Sequence, residues 1–212
     1  MPGTNLRRTP ADLPAPEVPE LHRYRLRLRR TEGEVTSYVG MIIFLGSWAM
    51  MFAALFFAYA VVRLRAPMWP PPDQPALPIL VPGLNTVVIA ASSGAVMLAV
   101  HAQALGRHRR ASIWLGVAAG LGALFLGLQI LVWVGVWRAG LLPSGGPYPS
   151  AFYALTAFHA LHVLVGLAAL GVLAIHARPP RGTTRSAVRL WGMFWHFVGA
   201  VWLALYVAVY LV

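Results

Sequence analysis

The stretch Ala151–Ile175, AFYALTAFHALHVLVGLAALGVLAI, runs for 25 residues without a charge. As a helix it rises about 37 Å at 1.5 Å per residue, and a bilayer's hydrocarbon core is about 30 Å thick. Its apolar residues do not alternate with polar ones, so it does not read as a barrel strand. A helix is then the way to pair its backbone groups inside lipid. Four further stretches of the same kind complete a set of spans at 38–62, 84–105, 113–137, 151–175 and 188–212. The predicted fold is an all-α integral membrane protein: a five-helix transmembrane bundle over residues 38–212, behind a Pro- and Arg-rich segment, residues 1–37.

Composition agrees and narrows the chemistry. Of 212 residues 58% are hydrophobic and 11% charged, against about 25% charged in soluble domains. The six acids are Asp12, Glu17, Glu20, Glu32, Glu34 and Asp73, and no carboxylate side chain follows Asp73. Carboxylate metal sites, acid/base pairs and Ser-His-Asp triads are therefore excluded from most of the membrane part, since each needs an acid to bind, orient or exchange protons. With zero cysteines, disulfides and thiolate sites are excluded too.

The formal charge of +11 comes from 17 basic residues, all arginine. Arg7, Arg8 and five more up to Arg30 precede the first span. Arg107, Arg109 and Arg110 fill the second connector, and Arg178, Arg181, Arg185 and Arg189 surround the fourth. Only Arg63, Arg65 and Arg138 fall on the other side. The positive-inside rule then predicts a cytoplasmic N-terminus and an outside C-terminus. The charge is topological and implies no nucleic-acid partner. The basic–apolar alternation at residues 23–30 suits anionic headgroups or a partner's cytoplasmic face, or is simply part of that orientation signal. Pro67, Pro70, Pro71, Pro72, Pro75, Pro78 and Pro82 predict a stiff, extended cover between the first two spans. Gly116 and Gly120 form a GxxxG pair that permits close helix contact.

Polar residues within the spans are costly in lipid and are where function shows. His159 and His162 lie roughly 12 and 16 Å below the outer boundary of the fourth span, and His196 roughly 12 Å above the inner boundary of the fifth. Two readings of these histidines stand open. In one, His162 and His196 on separate helices hold a haem b iron, or the histidines build a metal site. In the other, the histidines make interhelical hydrogen bonds, each imidazole neutral and paired to a backbone carbonyl, a hydroxyl or an amide such as Gln129. Asn85, Thr86, Ser92 and Ser93 are candidates for bonds between helices. Trp133, Trp137, Tyr148 and Tyr210 near the outer boundaries read as interfacial anchors, and Trp195 and Trp202 as deeper packing residues. No mid-membrane charge is present to couple an ion, which argues against an ion-driven transporter.

The spans also carry short motifs in order: Gly40-Met41-Ile42-Ile43-Phe44-Leu45-Gly46-Ser47, then Phe56-Phe57-Ala58-Tyr59 and Arg63; Leu84-Asn85-Thr86 with Ser92-Ser93; Leu124-Phe125-Leu126-Gly127-Leu128-Gln129; Phe158-His159-Ala160-Leu161-His162-Val163; and Trp195-His196-Phe197-Val198 with Trp202. With this set over residues 38–212, the chain resembles subunit III of haem-copper respiratory oxidases, in the short form that lacks two N-terminal helices of longer members. The resemblance implies an accessory subunit of the bacterial inner membrane without cofactors of its own. It would pack on subunit I, near subunit II and other respiratory-complex subunits, with phospholipid bound and haem and copper in the partners. A related membrane protein associated with nitric oxide reductase shares the plan and stands as the alternative. Carried over by motif, Asn85, Gln129, His159, His162, Trp195 and His196 form the polar interior, while Arg63, Arg107, Arg109, Arg110 and Arg178 meet headgroups or a partner. Three family acids are absent: Trp48, Val132 and Gly199 stand where carboxylates are usual.

Overall fold

In the computed structural model the described residues are 19–72, 74–176 and 185–211, and every regular element among them is helical. The helices are α1 (Pro19–Arg65), α2 (Leu80–Ala104), α3 (His108–Arg138), α4 (Pro147–His176) and α5 (Arg185–Leu205), the last running into a π-helical turn, Tyr206–Leu211. All five are long and apolar enough to cross a membrane, as the sequence predicts. The chain forms two compact units, residues 1–40 and 41–212. In the first, residues 23–30 are part of α1, and residues 1–18 lie outside the described set. The second holds the helical bundle and its interior.

Two glycines set the helix ends. Gly106 and Gly140 have φ of +70° and +95°, values that cost other residues a Cβ clash. Each ends its helix in the same way. The N–H of Gly106 reaches Gln103 O and that of Arg107 reaches Ala102 O; Gly140 reaches Trp137 O and Leu141 reaches Val136 O. This paired pattern satisfies carbonyls that a helix end otherwise leaves orphaned. Leu141, just past the second stop, is fully buried and pins the chain to the core. Pro82 sits in the first turn of α2, where its missing N–H has no intrahelical duty.

Helices α2 to α5 close a ring: α2 packs on α3 and α5, and α4 packs on the same two. Small residues line the tightest contact, with Ala99 on α2 and Ala111 and Ala118 on α3 all fully buried, as expected where lipid offers no hydrophobic drive and packing must supply the association. Helix α1 is different. Only 6% of its most apolar stretch is buried, against 33–44% in the other four. From Met41 onward it reaches the ring through aromatic side chains, Phe44 on Phe194 at 6.3 Å and Phe52 on Phe158 at 5.3 Å between centroids.

The Pro-rich connector is folded, not extended. It turns twice, through Ala66 N–H to Arg63 O at 3.2 Å and Gln74 N–H to Pro71 O at 3.0 Å. Trp69 supplies the reason. Its ring meets the edges of Tyr59 and Tyr148 at 5.6 and 4.8 Å, and the Arg63 guanidinium lies 5.8 Å from its centre. Burying that indole outweighs the stiffness of the prolines around it. Each aromatic pair contributes about 0.5–1.5 kcal/mol, so Trp69→Ala is expected to cost about 1–3 kcal/mol, read as a lower Tm in detergent and faster proteolytic cutting between residues 66 and 79.

Candidate functional site

Within the largely apolar interior of the ring, several polar groups tie helix to helix. At its centre Trp195, fully buried on α5, sits between two glycines. A Cβ on Gly122 of α3 would fall 2.6 Å from the indole, and one on Gly166 of α4 would fall 2.8 Å from it. The same indole N–H donates to Ser92 Oγ on α2 at 3.0 Å, and Ser92 Oγ donates to Ala118 O on α3 at 2.9 Å. One side chain thereby joins all four helices of the ring.

The device recurs. Trp202 Nε1 donates to Thr86 Oγ1 at 3.1 Å, and that hydroxyl donates to Pro82 O at 3.0 Å. Trp133 Nε1 donates to Thr156 Oγ1 at 3.0 Å, and the Thr156 hydroxyl donates to Phe152 O at 2.8 Å. In each case a hydroxyl accepts from an indole and donates to a carbonyl, so no polar hydrogen in the chain of bonds faces hydrocarbon. Asn85 Nδ2 adds a longer bond to Phe125 O, 3.4 Å, and Ser112 Oγ joins α3 to Ala174 O of α4 at 2.6 Å.

The histidines divide. His162 is buried, and its Nδ1 lies 2.6 Å from Phe158 O one turn back on the same helix, not from a group on a neighbouring helix. His159 is buried with neither ring nitrogen bonded; it lies among Trp202, Phe125 and Phe52 at 5.5, 5.9 and 6.3 Å. Gln129 is not its partner. That amide is buried on the inner face of α3, beside the buried Tyr210 hydroxyl. His196 is half-buried on α5 and makes no ring contact with His162. Trp48, Phe52 and Phe158 surround the His162 ring at 4.0, 5.2 and 4.7 Å between centroids. Among the described residues no three His or acidic groups gather as a metal site.

The positions of the missing acids are occupied by packing. Trp48 stands edge-on to His162 at 78°, Val132 is buried, and Gly199 faces Ser93 and Ile89 of α2. Arg107, Arg109 and Arg110 line an open surface cavity of about 760 Å³ at the α2–α3 turn, while Arg178 lies outside the described residues.

Several expectations change. Tyr148 and Tyr210 are buried, not interfacial, because the folded connector covers the first and the π-helical turn rotates the second inward. Gly116 and Gly120 meet nothing within 4 Å; the close approaches are made at Gly122 and Gly166. The only sequence cue to those two was a large residue, Trp195, with nowhere else to go.

The class these features define is a polytopic α-helical membrane protein with an interior tied by neutral hydrogen bonds. The family model for cytochrome c oxidase subunit III matches residues 33–212. The cytochrome c oxidase subunit 3 of Synechocystis is 33% identical over 175 residues, 81% of this chain and 74% of the relative. That of Thermostichus vulcanus is 31% identical, covering 82% of this chain and 86% of its own. A probable cytochrome c oxidase subunit 3 of Nocardia farcinica is 35% identical, covering 82% and 87%. The chain belongs to the cytochrome c oxidase subunit III family.

The indole wedge gives a sharp expectation. Gly166→Ala forces a rigid ring to move and should cost about 1–3 kcal/mol of stability, whereas Gly116→Ala, with open space around it, should be neutral or slightly stabilising. Thermal unfolding of the two variants, with Trp195→Phe added to relieve the first, measures the difference.

Proposed function

We propose that this chain is the accessory, non-catalytic subunit III of a bacterial haem-copper terminal oxidase in the inner membrane, with its N-terminus in the cytoplasm and its C-terminus outside. Oxygen reduction, fed by cytochrome c or quinol, belongs to partner subunits I and II, which hold the haem and copper. This subunit packs on subunit I, keeps it stable through turnover and supports its proton uptake. Family membership makes an oxidase component the base reading. The observation that carries the accessory role is the interior itself. Its three indole N–H groups, of Trp195, Trp202 and Trp133, each bond to a hydroxyl on another helix, and Trp48, Val132 and Gly199 stand where the family motifs usually place acids. Such an interior holds helices together; it has no carboxylate to carry a proton, so the acids of proton uptake belong to the partner.

Phospholipid headgroups are the second contact. The first turn of α3 carries Arg109 and Arg110 and no acid, charges of the wrong sign for a helix N-terminus. An anionic headgroup beside them removes that conflict, and Arg63 serves lipid at the other end of the bundle.

Purification of the native complex through a tag on this chain tests the proposal. Mass spectrometry is expected to find the oxidase subunits I and II with it, and an optical spectrum to show their haem, while the chain alone is colourless. Absence of the oxidase from the purified material, or nitric oxide reductase in its place, would overturn it.

A further inference from the structure

His159 and His162 stand on α4 at a spacing that makes them neighbours on one helix face, and both are buried, at 1% and 3% exposure. The hydrogen bond of His162 fixes its tautomer. A carbonyl oxygen can only accept, so the Nδ1 that lies 2.6 Å from Phe158 O carries the proton. Its Nε2 is then a bare lone pair, and that atom has no hydrogen-bond partner. His159 is left with more. Neither of its nitrogens is bonded, and a neutral imidazole has one N–H to give and one lone pair to fill.

The side chains around the two rings do not meet these needs. His159 lies among Trp202, Phe125 and Phe52, and Phe52 also covers His162 at 5.2 Å. Phenyl rings carry no donor. The indole N–H of Trp202 is committed to Thr86 Oγ1, Gln129 stands beside the Tyr210 hydroxyl, and Trp48 meets the His162 ring edge-on without a hydrogen bond to its Nε2. Nor can the histidines satisfy each other in full, because together they present two lone pairs and one N–H.

A buried polar atom left unpaired costs about 1–3 kcal/mol, so the pair calls for a small neutral ligand that both donates and accepts. A metal ion does not suit it. Among the described residues no third His or acid gathers there, and no carboxylate side chain after Asp73 is present to balance a cation in the membrane. Water suits it, since buried waters settle on otherwise unmet polar groups, about one for every 27 residues of a folded protein. We propose that His159 and His162 hold ordered water inside the bundle, behind Phe52. One molecule accepts the His159 N–H and donates to His162 Nε2, and the remaining His159 nitrogen takes a hydrogen from a second. Both imidazoles are thereby kept neutral by hydration, where an ion pair would need an acid that the spans do not contain.

Hydroxyl radicals made in place by synchrotron X-rays oxidise side chains that touch bound water, including those that bulk solvent does not reach. The chain, purified with its native partners, is irradiated just after mixing into heavy-oxygen water, and oxidation is mapped by mass spectrometry. Phe52, His159 and His162 are expected to be oxidised several-fold above Phe194, a comparably buried ring whose ring contacts are Phe44 and Trp191. They should also still carry the old isotope when surface residues carry the new one. Replacing both histidines with leucine should bring Phe52 down to the level of Phe194; where that variant does not fold, the wild-type pattern decides. Oxidation of the three residues no greater than that of Phe194 overturns the proposal, as does undiminished oxidation of Phe52 in the folded double variant. Isotope exchange as fast as the surface's overturns it too, since it marks an opening to solvent, and so does a transition metal retained at one per chain and lost in His162→Leu.

Discussion

The bond from the Trp195 indole to Ser92, and from Ser92 on to Ala118 O, is the constraint on which the ring depends. In hydrocarbon an N–H without an acceptor has no water to fall back on, so the indole must point at a hydroxyl, and the hydroxyl must in turn point at a carbonyl. Fixing the indole's direction fixes where its six-membered ring lies. That ring occupies the space between α3 and α4 that glycine at 122 and 166 leaves open. Hydrogen bonding and steric fit are thus one requirement: α5 can rotate neither way without losing a bond or striking a helix. Trp202 and Trp133 repeat the bonding half of the scheme at other levels, which spreads the restraint along the bundle.

The same constraint makes an acid-free interior workable. A carboxylate in mid-membrane needs a cation or several donors to be tolerated. The hydroxyl relay needs neither, and no buried charge on one helix demands a counter-charge on another. Trp48 extends the same logic to α1, where an aromatic edge against His162 does the positioning. The bonding is weak pair by pair, about 0.6 kcal/mol on average for such interhelical bonds. Shape complementarity around Trp195 therefore has to supply much of the specificity.

How much of the fold was legible in the sequence depends on the strength of each signal. Five long apolar stretches, four without a charge and the fifth with only Arg189 at its start, admit one architecture in lipid, so helix number and type could be read directly. Ser92, Thr86 and Asn85 stood out because a polar side chain in a span must bond to something, and the structure gives each a carbonyl to bond to. Partners across helices were not legible. That Trp195 lies against Gly122 and Gly166 depends on rotation and depth, which a sequence pattern fixes only to within a turn. The same loss of register misled the reading of Gly116 and Gly120: GxxxG marks a face fit for close approach, but not whether the neighbour is on the same chain. Trp69 was hidden for another reason, since seven nearby prolines suggested rigidity while the folding of the connector is set by one ring and its two tyrosines.

Inside and outside of the ring use the same residue types to different ends. Inside, the indoles of Trp195, Trp202 and Trp133 have each found a hydroxyl, and glycine stands where a large ring needs its volume. The outer face of α3 is built the other way: Gly116, Gly120 and Gly127 are exposed, with open space where each Cβ would stand, while Gln129 lies on the opposite, buried face of the same helix, beside the Tyr210 hydroxyl. Glycine therefore serves fit within the ring only where a large ring faces it, at 122 and 166, and the specificity of the bundle comes from volumes matched across helices rather than from the count of glycines in any one of them.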